Sequence, residues 1–382
     1  MKKLGLLPKL VIGIIVGIIV GATGIEFLTR LLSTFSGIFG NFLGYIIPLI
    51  IIGFIAPGIA ELGGKAGKLL GITTGLAYLS TVVAGVLSFV VATVILPMII
   101  SGGDIAEGGK SAAPFFEIQM PAIMGVMTAL ITAFLLGLGM ATLKSKSMYA
   151  VMEEFQQIIK KVIENVIIPL LPVHIAGIFA KLAFAGTVAQ TLAVFGRVFV
   201  LVIGVHIGFL IIQYTVAGSI AKVNPFTALK NMLPAYFTAI GTQSSAATIP
   251  VTVKSAKSNN INDEVAEFAI PLCATIHLSG STIALTICAI AVMALDGATL
   301  GFGQVLPFIL MLGITMVAAP GVPGGAIMAS LGLLETMLGF TDGQLALMMA
   351  LYIAQDSFGT AANVTGDGAI GLIVNKFAKE AK

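Results

Sequence analysis

What this chain has least of is charge. Only 10% of its 382 residues are Asp, Glu, Lys or Arg, while 58% are hydrophobic, and the mean hydropathy is +1.08. A soluble domain carries about 25% charged residues, so the composition excludes a separate soluble domain and calls for a bilayer as solvent. Arginine is almost missing, with Arg30 and Arg197 the only two. The net charge of +3 comes from lysines at membrane edges and gives no footprint for a nucleic-acid partner. Cys273 and Cys288 share one apolar run and read as small buried side chains, not as a disulfide or metal pair. There is no Walker loop, no His/Cys ligand cluster and no G-x-S-x-G elbow. ATP hydrolysis and nucleophilic catalysis therefore have nothing to stand on, and neither an enzyme nor an organic cofactor is expected.

What is present is a series of long apolar runs. Candidate spans are Leu10–Gly24, Gly37–Ala60, Leu69–Ile100, Pro121–Leu143, Ile158–Phe184 and Thr187–Ile220. Met1-Lys2-Lys3 ahead of the first run reads as the start of a retained helix, since no small-residue cleavage site follows. In that run Gly13, Gly17 and Gly21 recur every fourth residue, a spacing that lets a second helix approach closely. Lys2, Lys3, Lys9, Lys65, Lys68, Lys144, Lys146, Lys222 and Lys230 fall on one side of these spans, and Asp104, Glu107 and Glu117 on the other. The positive-inside rule then puts both termini in the cytoplasm. Tyr149–Lys161 is amphipathic and is expected at the cytoplasmic interface.

After Lys230 the pattern changes. Met232–Ala256 is interrupted at Gly241–Pro250, and Val305–Leu334 at Ala318–Gly325. Each half of the first measures about 15 Å as helix, half a bilayer. Gly and Pro clusters leave backbone groups unpaired, which a bilayer tolerates only around a cavity or site. Two such segments in corresponding positions point to a transporter's binding site. Each precedes a long span broken by polar residues: Phe268–Leu295, broken at Thr275–Ser281, and the run Leu345–Val374, broken by the polar stripe from Asp356 to Asp367. The expectation is an all-α polytopic membrane protein of eight transmembrane helices plus two re-entrant helical hairpins, arranged as inverted repeats. Lys254 and Lys257 favour a cytoplasmic return of the first hairpin, although Asp263, Glu264 and Glu267 share that loop.

The last run holds the stripe of most interest. Asp356, Thr360, Asn363 and Asp367 are spaced by four, three and four, so they share one helical face. A carboxylate at mid-membrane costs about 2.5–3.5 kcal/mol on insertion scales, and buried intramembrane acids bind ions, protons or cationic groups. Asn363-Val364-Thr365 also fits a glycosylation acceptor, but a site inside a span cannot be glycosylated. His174 and His206 lie in apolar spans and read as packed core residues, and Glu335 and Asp342 as loop residues.

Several motifs in order carry a resemblance: Ser244-Ser245-Ala-Ala-Thr-Ile-Pro-Val-Thr252, Pro271-Leu-Cys-Ala-Thr-Ile276, Gly321-Val-Pro-Gly324 and Asn363-Val-Thr-Gly-Asp367. At these residues, and over nearly its whole length, the chain resembles the dicarboxylate/amino acid:cation symporter family, the glutamate-transporter homologues. The resemblance implies a homotrimer in the cytoplasmic (inner) membrane and an elevator-type fold. It implies a scaffold of residues 1–68 and 121–186 and a transport domain of 69–120 and 187–382. It also implies an amino-acid substrate and sodium, with protons as the alternative coupling ion. Asp356 would pair with the substrate ammonium and Asn363 with its α-carboxylate, helped by Ser244, Ser245 and the backbone of Val322, with Thr360 and Ser281 beside them. Asp367 would hold sodium with backbone oxygens of Cys273, His277 and Asn363. Thr275 would stand near a second ion, and Tyr78, Thr81 and Ser279 mark a third site.

This sequence departs from the family pattern at three places. The arginine expected before Thr360, which holds a side-chain carboxylate, is Gly359, and the alternative arginine position at the first hairpin tip is Gln243. Gln243 either caps that tip or touches substrate. Gly359 is expected to leave space for a bulkier side chain, and the lost arginines point to a neutral amino acid. The family Asn-Met-Asp-Gly-Thr is His277-Leu-Ser-Gly-Ser281, which removes an acidic ligand at Ser279. Pro320 stands before Gly321 in the second hairpin. An acidic amino acid or dicarboxylate is the competing cargo, and a channel the competing class; a channel would show a continuous polar pore and flux that does not saturate.

Overall fold

A computed structural model describes residues 6–64, 68–100, 112–317, 319 and 324–380. Among them there are helices and connecting loops and no strands. The helices are α1 (Leu6–Ala22), α2 (Glu26–Gly64), α3 (Lys68–Ile99), α4 (Val126–Leu143), α5 (Lys146–Val162), α6 (Ile168–Ala185), α7 (Val188–Ala221), α8 (Pro225–Asn231), α9 (Leu233–Thr242), α10 (Ser245–Lys257), α11 (Asp263–Ile276), α12 (Ser279–Leu295), α13 (Phe302–Met316), α14 (Gly325–Leu338) and α15 (Asp342–Glu380). Five segments are long and apolar enough to cross a membrane: Glu26–Ala60, Leu69–Ile99, Lys146–Ala185, Val188–Ala221 and Asp263–Leu295. Several outward faces are apolar, including Leu79, Val83, Val90 and Val94 on α3 and Ile131, Leu135 and Leu138 on α4, as contact with lipid or another subunit requires.

The helices sort into two packing groups. In one, α1 lies along α6, and α2 packs on α4, α5 and α6. The glycine stripe of α1 makes its contact possible. A Cβ on Gly13, Gly17 or Gly21 would overlap the carbonyl oxygens of Pro172, Ala176 and Ala180 in turn. The backbones touch with nothing between them. In the other group, α15 is the hub, contacted by α7, α9, α10, α11 and α12, with α3 and α13 outside it. Fewer contacts join the groups, chiefly α14 with α2 and α15 with α6.

The amphipathic segment is α5, which runs through a π-helical turn at Ile163–Ile167 straight into α6. Part of its apolar side packs on α2, where Phe155 and Ile159 meet Gly53, while Val151 and Ile158 stay exposed. The second helix starts at Glu26, eleven residues before the apolar run at Gly37. Its first half is held by polar contacts with the segment between α3 and α4: Arg30 Nε donates to Ala113 O at 3.0 Å, Phe115 N to Thr34 Oγ1 at 2.9 Å, and Asn41 Nδ2 to Ile118 O at 2.7 Å.

The interrupted segments fold back as helical hairpins, α9 on α10 and α13 on α14. Gln243 turns the first with a left-handed φ of 53°, closing α9 by donating its N–H to Ala239 O, and Ser244 Oγ caps α10 by accepting from Ala247 N. The return from α10 carries the acids that counted against a cytoplasmic edge. Two of them are matched: Lys257 Nζ sits 2.7 Å from Glu267 and 3.4 Å from Asp263, and the hydrogen bond to Glu267 raises the Lys257 ammonium above its ordinary value. The span Phe268–Leu295 is broken as expected, with α11 ending at Ile276 and α12 starting at Ser279.

One expectation is corrected. The last span is not broken by its polar stripe: α15 runs unbroken from Asp342 to Glu380. Asp356, Asn363 and Asp367 find partners beyond their own helix, on Gly324, α12 and His277, while Gln355 Nε2 donates back to Leu351 O at 3.0 Å without breaking the helix. Its glycines serve packing. A Cβ on Gly366 would lie 2.7 Å from His277 Cε1, and one on Gly368 2.6 Å from the Tyr214 hydroxyl.

Gly17→Leu should therefore separate α1 from α6 and cost several kcal/mol, beyond the roughly 1–3 kcal/mol of ordinary overpacking. Gly37, with nothing within 4 Å of a Cβ, should accept alanine with no loss. Thermal unfolding in detergent compares the two.

Candidate functional site

The two hairpin tips, the α11–α12 break and the middle of α15 border one cavity of about 470 Å³. Its lining includes Gln243, Ser244, Ser245, Thr275, Ser281, Asp356, Thr360 and Asn363. Of the substrate positions read from the sequence, only two stand outside it. Val322 lies outside the described residues. Gly359 is not among the lining residues; a Cβ there would lie 3.6 Å from Ser281 N and 3.7 Å from Gly280, in ordinary contact with α12.

Three helices begin at this cavity. Ser245 and Ala246 open α10, Ser281 lies in the first turn of α12, and Ala326 in that of α14. The first N–H groups of a helix have no partner within it and carry its positive dipole end. In a bilayer interior those groups must be satisfied by side chains or by ligand. Asn363 serves α12: its Oδ1 accepts from Gly280 N at 2.8 Å and Ser281 N at 3.3 Å, while its Nδ2 donates to Ser281 Oγ at 3.0 Å. Asp356 serves α14: Oδ2 accepts from Gly324 N at 2.7 Å. Gly280 is small for the same reason, since a Cβ there would overlap Gly359 O and come within 2.7 Å of Ala362 Cβ. His206 of α7, which the sequence offered only as core, reaches the same point, with Nε2 2.8 Å from Gly280 O.

Asp356 is the single charged side chain among the described lining residues. Both arginines are elsewhere: Arg30 sits over the Phe115 ring at 4.4 Å, and Arg197 Nη1 donates to Ile99 O at 2.6 Å. Gln243 both caps α9 and lines the cavity. Thr275 is exposed at the rim, its hydroxyl bonded to Leu272 O.

One turn beyond Asn363, fully buried Asp367 meets a side chain where backbone oxygens alone were expected. His277 Nδ1 lies 2.9 Å from Asp367 Oδ1. The ring's Nε2 lies 3.0 Å from Ser80 Oγ and 3.3 Å from Gln213 Nε2, and Gln213 Nε2 donates to Ser80 Oγ at 2.8 Å. This order assigns the ring a donor at Nδ1 and an acceptor for the Ser80 hydroxyl at Nε2. Asp367 Oδ2 has no hydrogen-bond partner. The carbonyl of Cys273 accepts from His277 N at 2.8 Å. Ser80 and Gln213 were missed in the sequence because their role depends on contacts of α3 and α7 with the α11–α12 break. Around the third position, the Tyr78 hydroxyl donates to Leu310 O and that of Thr81 to Ala77 O, while Ser279 Oγ has no partner.

The fold and cavity define an all-helical membrane protein with a small-molecule site between two hairpin tips. The model of the sodium:dicarboxylate symporter family matches residues 6–377, so the chain belongs to that family. It is similar to the excitatory amino acid transporter of Caenorhabditis elegans, 28% identical over 269 residues, which are 69% of this chain and 53% of that protein. It is also similar to excitatory amino acid transporter 2 of Homo sapiens, 28% identical over 255 residues, 64% of this chain and 44% of that protein. The chain thus spans about half the length of the curated relatives it matches.

Asn363→Ala should leave the buried N–H groups of Gly280 and Ser281 unpaired, at about 1–3 kcal/mol. Thermal unfolding should show that loss, and no loss for Thr275→Ala at the exposed rim.

Proposed function

We propose that this protein is a secondary symporter that moves a neutral amino acid across the cytoplasmic membrane, coupled to a cation gradient. The observation that carries the reading is the cavity's charge pattern: one carboxylate, Asp356, amid neutral donors and the N-terminus of α10. An ammonium suits Asp356. A single α-carboxylate suits the amide of Asn363, the seryl hydroxyls and the α10 dipole. A second carboxylate would lack the guanidinium fork that suits it.

The movement is read as an elevator. The group around α15, with α3, would travel against α1, α2, α4, α5 and α6, and the sparse contacts between the groups support the division. By its bonds to α2, the loop from Ala113 to Ile118 goes with the stationary part, not with α3. The hairpins are read as re-entrant and the assembly as a homotrimer in the inner membrane, both termini cytoplasmic, in keeping with the family and the lysine pattern.

Asp356→Asn keeps an acceptor for Gly324 N but removes the charge. Breaking a buried ion pair costs about 3–5 kcal/mol, so amino-acid binding should fall at least a hundredfold while the size-exclusion profile stays unchanged. A panel of neutral and acidic substrates in the wild type completes the test: aspartate or succinate binding tighter than every neutral amino acid would overturn the neutral assignment.

The coupling ion is read from the same place. Asp367 suits a hard cation, but His277 already holds one of its oxygens, and the third position has Ser279 where the family has an acid. Fewer sodium ions per substrate should be carried than in sodium-coupled relatives, with protons, through the His277 imidazole, as the alternative coupling ion. Uptake at fixed membrane potential under a sodium gradient alone, then a proton gradient alone, tests this in wild type and His277→Asn. Steep sodium dependence with several ions and no pH effect would reject it, and proton-driven uptake unchanged in the variant would clear His277.

A further inference from the structure

Behind the wall that Asp356 and Ser281 give to the cavity stands Tyr352. It lies on α15 one helical turn before Asp356, is 0% exposed and is not among the residues lining the cavity. Its hydroxyl is near enough to interact with both the Asp356 carboxylate and the Ser281 hydroxyl, yet neither contact reaches hydrogen-bond geometry and the oxygen has no partner. Phenylalanine would fill the same space without burying an unpaired hydroxyl, which is costly. A buried tyrosine hydroxyl usually meets a partner, and here the groups in reach are two that wall the cavity.

The neighbouring bonds set a direction. Asn363 Nδ2 donates to Ser281 Oγ at 3.0 Å, so the Ser281 hydroxyl keeps its own proton for another acceptor. An ionised carboxylate only accepts, so between Tyr352 and Asp356 the phenol is the donor. Its oxygen is then left to accept from Ser281. The order Asn363, Ser281, Tyr352, Asp356 thus runs donor to acceptor throughout. It leads from the residue read as meeting the substrate carboxylate to the one read as meeting its ammonium. Asp356 Oδ2 already accepts from Gly324 N at 2.7 Å, and a second donor from within α15 would fix the orientation of the carboxylate.

We propose that Tyr352 is a positioning residue for amino-acid recognition: its hydroxyl donates to Asp356 and holds the carboxylate aimed at the substrate ammonium. Tyr352 touches no substrate and acts through Asp356, so its effect belongs to the ammonium end of the ligand alone. The proposal rests on the reading that Asp356 meets that ammonium.

The test is equilibrium binding to the purified full chain of the tightest neutral amino acid of the substrate panel and of its deaminated acid (propionate, for L-alanine). Both are titrated into the wild type, Tyr352→Phe, Asp356→Asn and the double variant. Tyr352→Phe removes one oxygen and keeps the ring, and the deaminated acid reports whether the site is still folded. Tyr352→Phe should weaken the amino acid at least about tenfold, a loss of about 1.4 kcal/mol, and leave the deaminated acid unchanged. In the Asp356→Asn background the same substitution should change neither ligand. Equal losses for both ligands would mark a merely structural tyrosine and overturn the proposal. So would a tenfold loss that persists in the Asp356→Asn background. Amino-acid affinity unchanged in Tyr352→Phe but lowered in Asp356→Asn would overturn the proposal and leave the ammonium assignment standing. Amino-acid affinity unchanged in Asp356→Asn would remove that assignment and the proposal with it.

Discussion

Everything at the centre of this protein follows from one constraint: α10, α12 and α14 begin around a single cavity, and the N–H groups of their first turns have no partners within their own helices. Each unmet group costs of order kcal/mol in hydrocarbon. Asn363 meets those of α12 and Asp356 that of Gly324 at the head of α14. Both come from α15, which explains why the helix most crowded with polar groups is also the one the others pack around. It explains Gly280 too, since that small residue lets α12 and α15 approach until an amide side chain can span them. The start of α10 is left facing the cavity, and a substrate carboxylate is the group that would complete the set.

The same logic separates the two carboxylates of the stripe. Asp356 faces a cavity and keeps company with backbone donors, so its charge is available to a ligand. Asp367, eleven residues on, is sealed among α7, α11 and α15, and its companion is an imidazole anchored by Ser80 and Gln213. One acid is open to a cavity and the other is closed off beside a histidine. A purely structural stripe would have no need of a cavity beside one acid or an unpartnered oxygen on the other.

Local signals in the sequence located the interruptions of the spans better than the helix starts. Gly and Pro clusters marked both hairpins, Thr275–Ser281 marked the α11–α12 break, and the four-residue glycine spacing of α1 marked its contact with α6. These features act within a few residues of where they occur. What stayed illegible depends on partners far along the chain. Nothing near Gly359 shows that α12 lies in contact beside it, and nothing near His277 names Ser80 or Gln213. The polar stripe of α15 looked like a break because serine, threonine and asparagine compete with a helix when no other partner is near. Here the partners are on neighbouring helices, and the backbone stays intact.

The central claim is that the cavity recognises both ends of a zwitterion, Asp356 the ammonium, Asn363 and the α10 terminus the carboxylate. Equilibrium binding of the tightest amino acid beside its decarboxylated amine and its deaminated acid tests this most directly. The account predicts that each truncated analogue binds at least about a hundredfold more weakly, because each leaves one buried charged or polar group without its partner. Binding of either analogue as tightly as the parent amino acid would contradict it.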